Sequence, residues 1–264
     1  MAKKIIMIST ARTGASYFRK YVVNNFKLLK IDNEIYHRFV NSKDAMSKVK
    51  KYHKLDDSSE IFKNHIELFT HDYFSIEQPL KFNQMLSSLS DAIKAKGILI
   101  KLTSNSFKNQ KKLDEFIKIK NAEFFFLTRN VLDVIISQYK SGLTKSWQNK
   151  DTTDLKPELD KDFFLNTYRA TSSWFLKTYE LINNDNKPRI IRYEQIFNNK
   201  NNPDDVISDF FKEYVEKSKH SKKYPPLHKQ DLNQVWQEKI SNHEEIENLI
   251  DKHKIVENYA DLLI

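Results

Sequence analysis

An arginine, two hydroxyl residues and a glycine stand together between an apolar run and a helical pattern near the start of the chain. The run ends at Ser9, and it is followed by Arg12, Thr13, Gly14 and Ser16. Such a turn aims successive backbone N–H groups and the positive end of a helix at one point. Thr13 and Ser16 would add hydroxyl donors there, and Arg12 would add a charge. The pattern predicts a phosphate site, although an ordinary strand-to-helix turn uses the same residue types.

The same loop lacks the signatures of two common nucleotide-binding classes. A Walker loop places Lys and then Ser or Thr after its second glycine, because that lysine reaches the β- and γ-phosphates. Here Ala15 and Ser16 follow Gly14, and the next lysine is Lys20. The dinucleotide fingerprint G-x-G-x-x-G is also absent from the sequence. These departures argue against a standard NTPase, kinase or Rossmann dehydrogenase.

A second polar group follows a run of phenylalanines. The run 124–128 leads directly to Arg129, and open α/β sheets bind ligands at the carboxyl ends of their strands. Asn130 is a good helix cap, and Asp133 three residues later would close a capping box. Ser137 lies eight residues after Arg129, so both side chains would hold one phosphate from the same side of the helix. The alternative is a salt-bridging arginine and a small helix residue.

Four short apolar runs predict the strands that carry these residues. The runs are nearly continuous in Ile, Leu and Phe, as in strands that helices cover on both faces. We expect strands over Lys4–Ser9, Ile98–Thr103, Glu123–Thr128 and Arg189–Tyr193.

Helical patterns alternate with these strands, over residues 15–29, 79–96, 110–120, 131–141 and 160–182. Strands that alternate with helices predict an α/β fold with βαβ units. We expect a P-loop-like, three-layer fold with a central, mainly parallel sheet of four or five strands. No convincing domain boundary is visible, so we expect a single domain over residues 1–264 with insertions at 30–78 and 143–159.

The charge of the chain points to an anionic partner. Lys and Arg number 44 against 35 Asp and Glu, which gives a formal net charge of +9. Such an excess suits nucleic acid, an acidic glycan or a phosphorylated small molecule. Only seven of the 44 are arginine, and the lysines are dispersed. Nucleic-acid binding needs a concentrated basic stripe with stacking aromatics, so we expect no stable nucleic-acid partner.

Several further classes are excluded by what the sequence lacks. The chain has no cysteine, which excludes a disulfide scaffold, a thiol nucleophile and a cysteine zinc site, and fits a reducing compartment. Its eight histidines lack tight metal-ligand spacing. No run of about 18 apolar residues suits a membrane span, and Ile5–Ile8 is too short for a signal peptide. We expect a soluble, cytoplasmic protein without a metal.

Three segments together resemble the motifs of the sulfotransferases. Ala11–Tyr17 resembles their 5′-phosphosulfate loop, in which a basic residue precedes a hydroxyl residue and a glycine. Leu127–Ser137 is similar to their 3′-phosphate motif, with an arginine at a strand end and a serine eight residues on. Arg192–Ile196 is similar to a Tyr-Glu-Asp-Leu segment that ends a later strand. The resemblance covers roughly residues 4–196, and the arginine at position 12 places it nearer the tyrosylprotein and bacterial glycolipid types than the cytosolic group.

The resemblance implies the donor and its binding residues. The donor would be 3′-phosphoadenosine 5′-phosphosulfate (PAPS), the product 3′,5′-adenosine bisphosphate, and no metal would be needed. Arg12 and the loop amides would stabilise the charge that builds on the leaving phosphate. The residues expected to bind the donor are Arg12, Thr13, Gly14, Ala15, Ser16, Tyr17, Arg129, Ser137, Tyr193 and Lys229.

The resemblance also suggests a general base. In arginine-type sulfotransferases the catalytic glutamate follows the loop by about one helix and a turn, and Glu34 lies 22 residues after Arg12. His37 is the second candidate, because the pKa of imidazole suits a base near neutrality. The sequence departs from the family at Ala11, which replaces a proline. It also departs at 100–105, where the cytosolic group carries its catalytic histidine.

The acceptor is not identified by the sequence. The insertions at 30–78 and 143–159 would shape its pocket, and the aromatic residues of the first insertion suit a sugar ring, a phenol or a lipid. The acceptor is therefore expected to be a small molecule, a glycan or a lipid. Two other functions stay open: a divergent nucleotide phosphotransferase of the kinase type, and a basic nucleic-acid-binding protein without catalysis.

Overall fold

The computed structural model describes most of the sheet, the loops at its carboxyl edge and the C-terminal part of the chain. The described residues are 3–15, 18, 22, 28–31, 78–80, 83–84, 87, 97–104, 106–107, 109–118, 122–146, 151–184, 187–197, 207, 209–211 and 235–264.

Five parallel strands form one sheet. They are β1 (Lys3–Ser9), β2 (Leu28–Ile31), β3 (Gly97–Leu102), β4 (Ala122–Thr128) and β5 (Arg189–Arg192). The strand order is β2-β3-β1-β4-β5, and each neighbouring pair is parallel. The prediction of an α/β fold with a central parallel sheet is confirmed, and four of the strands begin and end within one residue of the expected positions.

The edge strand β2 corrects the sequence interpretation of its region. The pattern predicts that residues 28 and 29 end a helix and that an insertion begins at 30. In the structure Leu28–Ile31 pairs with β3, with Leu28 opposite Gly97 and Ile31 opposite Ile100. Four residues, of which three are apolar, are too few for their periodicity to separate a strand from a helix end. The pairing with β3 shows that these four residues form a strand. Residues 32–77 of the expected insertion lie outside the described residues.

Helices flank the sheet in the predicted alternation. They include α1 (Gln110–Ile117), α2 (Val131–Thr144), α3 (Lys161–Asn183), α4 (Tyr193–Phe197) and α5 (His243–His253). Two 3₁₀ turns, Trp236–Lys239 and Tyr259–Leu262, lie near the C-terminal end. Residues 15, 18 and 22 are also helical, directly after β1. Within the described ranges, none of the helices has both the length and the apolar composition that a membrane span requires.

Alternate residues of β1 enter two separate cores. Ile5 and Met7 face a cluster that includes Phe18 and Phe125, whose ring centroids lie 5.6 Å apart. Ile6, on the opposite face, joins a larger cluster built with α1, α2, α3 and α5. Burying one such side chain contributes about 1.5–3 kcal/mol. Because both faces of the sheet are covered, the molecule has the three layers that the continuous apolar runs predict.

Residues 151–160 lie against the C-terminal part of the chain. The Leu159 N–H donates to Asn242 Oδ1 at 2.8 Å, and Asn242 Nδ2 donates back to the Leu159 carbonyl at 3.1 Å. The buried Lys140 in α2 donates from Nζ to the Thr152 carbonyl at 3.0 Å. These contacts hold the described part of the second expected insertion. That it shapes an acceptor pocket stays a prediction.

The strand order creates a crevice between β1 and β4. The chain leaves β1 toward β2 on one side of the sheet, whereas it leaves β4 toward β5 on the other. Neighbouring strands whose connections depart in opposite directions leave an opening beyond their carboxyl ends, and open α/β sheets bind ligands there. The loops that carry Arg12 and Arg129 both begin at this opening.

Candidate functional site

The loop after β1 winds tightly before the first helix begins. Arg12 and Gly14 both have left-handed backbones, with φ of 66° and 75°. The helix opens where the Phe18 N–H donates to the Gly14 carbonyl at 3.0 Å. The N–H groups of the first turn of a helix have no partner within the helix, so they can bind an anion. Ala15, at this helix start, is buried.

Thr13 stabilises this loop from inside. Its side chain is fully buried, and Oγ1 donates to the Thr10 carbonyl at 3.0 Å. The sequence suggested that this hydroxyl would donate to a ligand. In the structure the hydroxyl proton is donated within the loop instead, and the role of Thr13 in donor binding stays a prediction. Thr13 therefore holds the shape of the loop.

Tyr193 closes the site on the side of α4. Its ring lies so close to Gly14 that a Cβ at position 14 would stand 2.2 Å from Tyr193 Cε2. The same ring lies under Arg129, whose guanidinium carbon is 4.6 Å from the ring centroid. A cation over an aromatic face is attracted by the ring quadrupole. Tyr193 therefore contacts both the loop after β1 and the arginine after β4.

Arg12, Arg129 and Ser137 come together across the crevice. Arg12 Nε donates to Ser137 Oγ at 2.8 Å, and Arg129 Nη1 donates to the Arg12 carbonyl at 3.0 Å. The sequence placed Ser137 beside Arg129 on one phosphate, whereas the structure bonds its hydroxyl to Arg12. Residues from two motifs more than 100 positions apart therefore form one polar cluster.

The electrostatics of this cluster favour an anion. Burial lowers the pKa of Arg12, and the neighbouring cation of Arg129 lowers it further. Within the described part of the chain, the buried Arg129 Nε has no hydrogen-bond partner. A buried donor without an acceptor costs about 1–3 kcal/mol. A phosphate between the two guanidinium groups would relieve both costs.

Asp133 balances part of this positive charge. Its Oδ2 lies 3.5 Å from Arg129 Nη2, and its Oδ1 lies 2.5 Å from Lys239 Nζ. Its backbone N–H donates to Asn130 Oδ1 at 3.1 Å, which confirms Asn130 as the cap of α2. The expected capping box is half formed. The Asp133 carboxylate binds the two cations, and the Asn130 N–H donates instead to Glu194 Oε1 at 2.8 Å.

Residues 235–264, here called the C-terminal segment, contact the polar residues at the end of β5 and the start of α4. Glu194 accepts from Asn258 Nδ2 at 3.0 Å through its second oxygen. Arg192 lies against this segment, 2.6 Å from Asp261 Oδ1. Sequence reasoning missed Lys239 and Asn258, because neither lies in a pattern that connects it with residues 64 to 106 positions away.

Five expected site residues lie outside the described residues: Ser16, Tyr17, Glu34, His37 and Lys229. Their roles in donor binding and proton transfer stay predictions. Among the described side chains there is no group of three or more His, Asp or Glu residues arranged to hold a metal ion.

The chain is similar to a solved structure of known type. No protein-family model matches the chain, and no curated protein matches it. One solved structure to which it is similar is the sulfotransferase domain from the Synechococcus PCC 7002 olefin synthase. The two share 12% sequence identity with a TM-score of 0.46, over 80% of this chain and 74% of that chain.

Proposed function

We propose that this chain is a sulfotransferase, which moves a sulfuryl group from PAPS to a hydroxyl or amine of an acceptor. One observation carries the proposal. Arg12 and Arg129 come from the two segments that resemble the 5′- and 3′-phosphate motifs of that family. At the carboxyl edge of the sheet, Arg129 Nη1 donates to the Arg12 backbone carbonyl at 3.0 Å. The contact brings the two motifs close enough together to bind a single nucleotide.

The residues present fit a doubly phosphorylated adenosine. The cluster contains two guanidinium groups and the start of a helix, and the buried Arg129 Nε still needs an acceptor. The nearby carboxylates of Asp133 and Glu194 already accept from other groups, so the remaining polar atoms are mainly donors. We assign the 5′ side of the donor to Arg12 and the loop amides, and its 3′-phosphate to Arg129.

The chain's own residues would act mainly by holding charge in place. PAPS supplies an activated sulfuryl group, and its transfer leaves negative charge on a phosphate oxygen. Ser137 Oγ orients Arg12 by accepting from its Nε at 2.8 Å, so little reorganisation would be needed when that charge develops. We propose Glu34, with His37 as the alternative, as the base that takes the acceptor proton.

Ligand-dependent stability distinguishes the donor from other nucleotides. Thermal unfolding would be followed with 3′,5′-adenosine bisphosphate, ATP with Mg²⁺, ADP and NAD. A ligand that binds only the folded state raises the apparent stability with its concentration. We expect the bisphosphate to give the largest rise. A larger rise with ATP and Mg²⁺ would instead favour a phosphotransferase, and no rise with any of them would reject the donor site.

The residue-level prediction of this proposal concerns Arg129. Arg129→Ala should weaken binding of 3′,5′-adenosine bisphosphate by about 5- to 150-fold, since losing a charged hydrogen-bond partner costs about 1–3 kcal/mol. Isothermal titration calorimetry measures the change. Arg169→Ala is the matched control, because Arg169 is exposed on α3. Equal affinity of the two variants would contradict the assignment of Arg129.

A further inference from the structure

The C-terminal segment places a buried cation beside Asp133 of α2. The Lys239 side chain is only 8% exposed, and its Nζ lies 2.5 Å from Asp133 Oδ1. The lysine belongs to the short 3₁₀ turn Trp236–Lys239 and is followed by the buried Ile240. Burying an ammonium group is costly unless a carboxylate lies close to it. The pair is therefore a specific contact between this segment and α2.

Asp133 has two cations within reach and binds one of them more closely. Its distance to Lys239 is 2.5 Å, whereas its distance to Arg129 is 3.5 Å. Arg129 and Asp133 stand four residues apart, a spacing that favours an ion pair at a helix. Without Lys239, the carboxylate would be free to pair fully with Arg129. The guanidinium group would then offer less of its charge to an anion.

We propose that Lys239 is a positioning residue for the donor site, which keeps Asp133 from neutralising Arg129; this inference rests on the proposed function. The lysine acts through Asp133. Two other contacts, Glu194 with Asn258 and Arg192 with Asp261, also attach the C-terminal segment to the body of the fold. Removing the Lys239 ammonium group therefore tests the charge without removing the segment.

Binding of 3′,5′-adenosine bisphosphate to four variants tests this proposal. Lys239→Met should weaken binding about tenfold, and Lys239→Arg should stay within about threefold of wild type because the cation is retained. The control is Lys161→Met, which removes an exposed ion pair with Glu245 that also joins the C-terminal segment to α3. It should leave affinity unchanged.

The fourth variant separates charge from packing. In the double variant Asp133→Asn with Lys239→Met, no carboxylate competes for Arg129, so binding should return to within about threefold of wild type. A lysine that only packs the segment, or one that contacts the nucleotide itself, would give no such recovery. Unchanged binding in Lys239→Met, or no recovery in the double variant, overturns the proposal.

A readout without nucleotide keeps this inference distinct from the proposed function. The chain has only seven arginines, so the ¹⁵Nε signal of Arg129 can be assigned by NMR. We expect Lys239→Met to shift that signal and the double variant to return it toward its wild-type position. If wild type fails to bind the bisphosphate, the proposed function is rejected, while the signal still reports the coupling. A signal that does not move in Lys239→Met rejects the coupling itself.

Discussion

Gly14 is the residue at which backbone conformation and close packing coincide. Its φ of 75° lies in the left-handed region, which L side chains rarely adopt. The Tyr193 ring occupies the space that a side chain at this position would need. The same ring contacts Arg129, so the spacing between the loop after β1 and Arg129 depends on glycine at position 14.

This dependence predicts a large cost for the smallest substitution. Gly14→Ala should lower the free energy of unfolding by about 2–4 kcal/mol, because it adds backbone strain and displaces Tyr193. Urea denaturation measures the change, and donor binding should fall in the folded fraction. Gly142→Ala is the control. That glycine lies in α2 with open space around it, so alanine should raise the stability by about 0.5–1 kcal/mol. Equal effects of the two substitutions would contradict this account.

Helix α2 matters at the element scale because it carries two side chains of the site on one rigid body. Asp133 lies in its first turn, and Ser137 follows one turn later. The Asn130 cap fixes where the helix begins, since its Oδ1 accepts from the Asp133 N–H. The start of the helix thereby sets the position of both site residues relative to Arg129.

Two helix caps of the same fold allow this role to be tested. Asn130→Ala and Asp160→Ala each remove a side-chain cap, at α2 and α3, and each should lower the stability by about 1 kcal/mol. Only Asn130→Ala should also weaken binding of 3′,5′-adenosine bisphosphate, because α3 carries no residue of the site. Denaturation and calorimetric titration give the two values. A loss of affinity in Asp160→Ala as large as in Asn130→Ala would show that general stability, and not the start of α2, governs binding.

The C-terminal segment packs against α3 through a buried tyrosine. Tyr259 is fully buried, with its ring centroid 5.3 Å from that of Phe175 and 6.4 Å from that of Tyr168, both in α3. Burial raises the pKa of the Tyr259 hydroxyl well above the ordinary tyrosine value. The folded protein therefore keeps this proton at a pH where the unfolded chain releases it.

Because of this proton, the free energy of unfolding should fall as the pH rises above 10. The contribution of Tyr259 is fully present below about pH 10, where the tyrosines of the unfolded chain titrate, and it falls by about 1.4 kcal/mol for each further pH unit. Tyr259→Phe removes the titrating group, so its free energy of unfolding should fall by about 1.4 kcal/mol less than that of wild type between pH 8 and pH 11. Chemical denaturation at both pH values measures the difference. Equal losses would contradict it, since the other eleven tyrosines are shared.

Much of the fold was predictable because its strands are buried on both faces. A strand in that position needs apolar residues almost throughout, so β1, β3 and β4 each leave a long apolar run in the sequence, whereas the edge strand β5 leaves only Ile190 and Ile191. β2 was missed because only four residues at the edge of the sheet carry its signal. The arginines after β1 and β4 could likewise be singled out, since Arg129 follows β4 directly and Arg12 stands three residues after the end of β1.

The sequence by itself therefore determined the layered α/β fold and the two strand-end motifs, because both follow from local patterns of burial and turn chemistry. Tertiary structure alone decided which groups meet. In the folded chain Arg12 donates to Ser137, Tyr193 packs against Gly14, and Lys239 pairs with Asp133, 106 positions away. Such pairings leave no local periodicity, because packing and charge compensation in the folded chain select them.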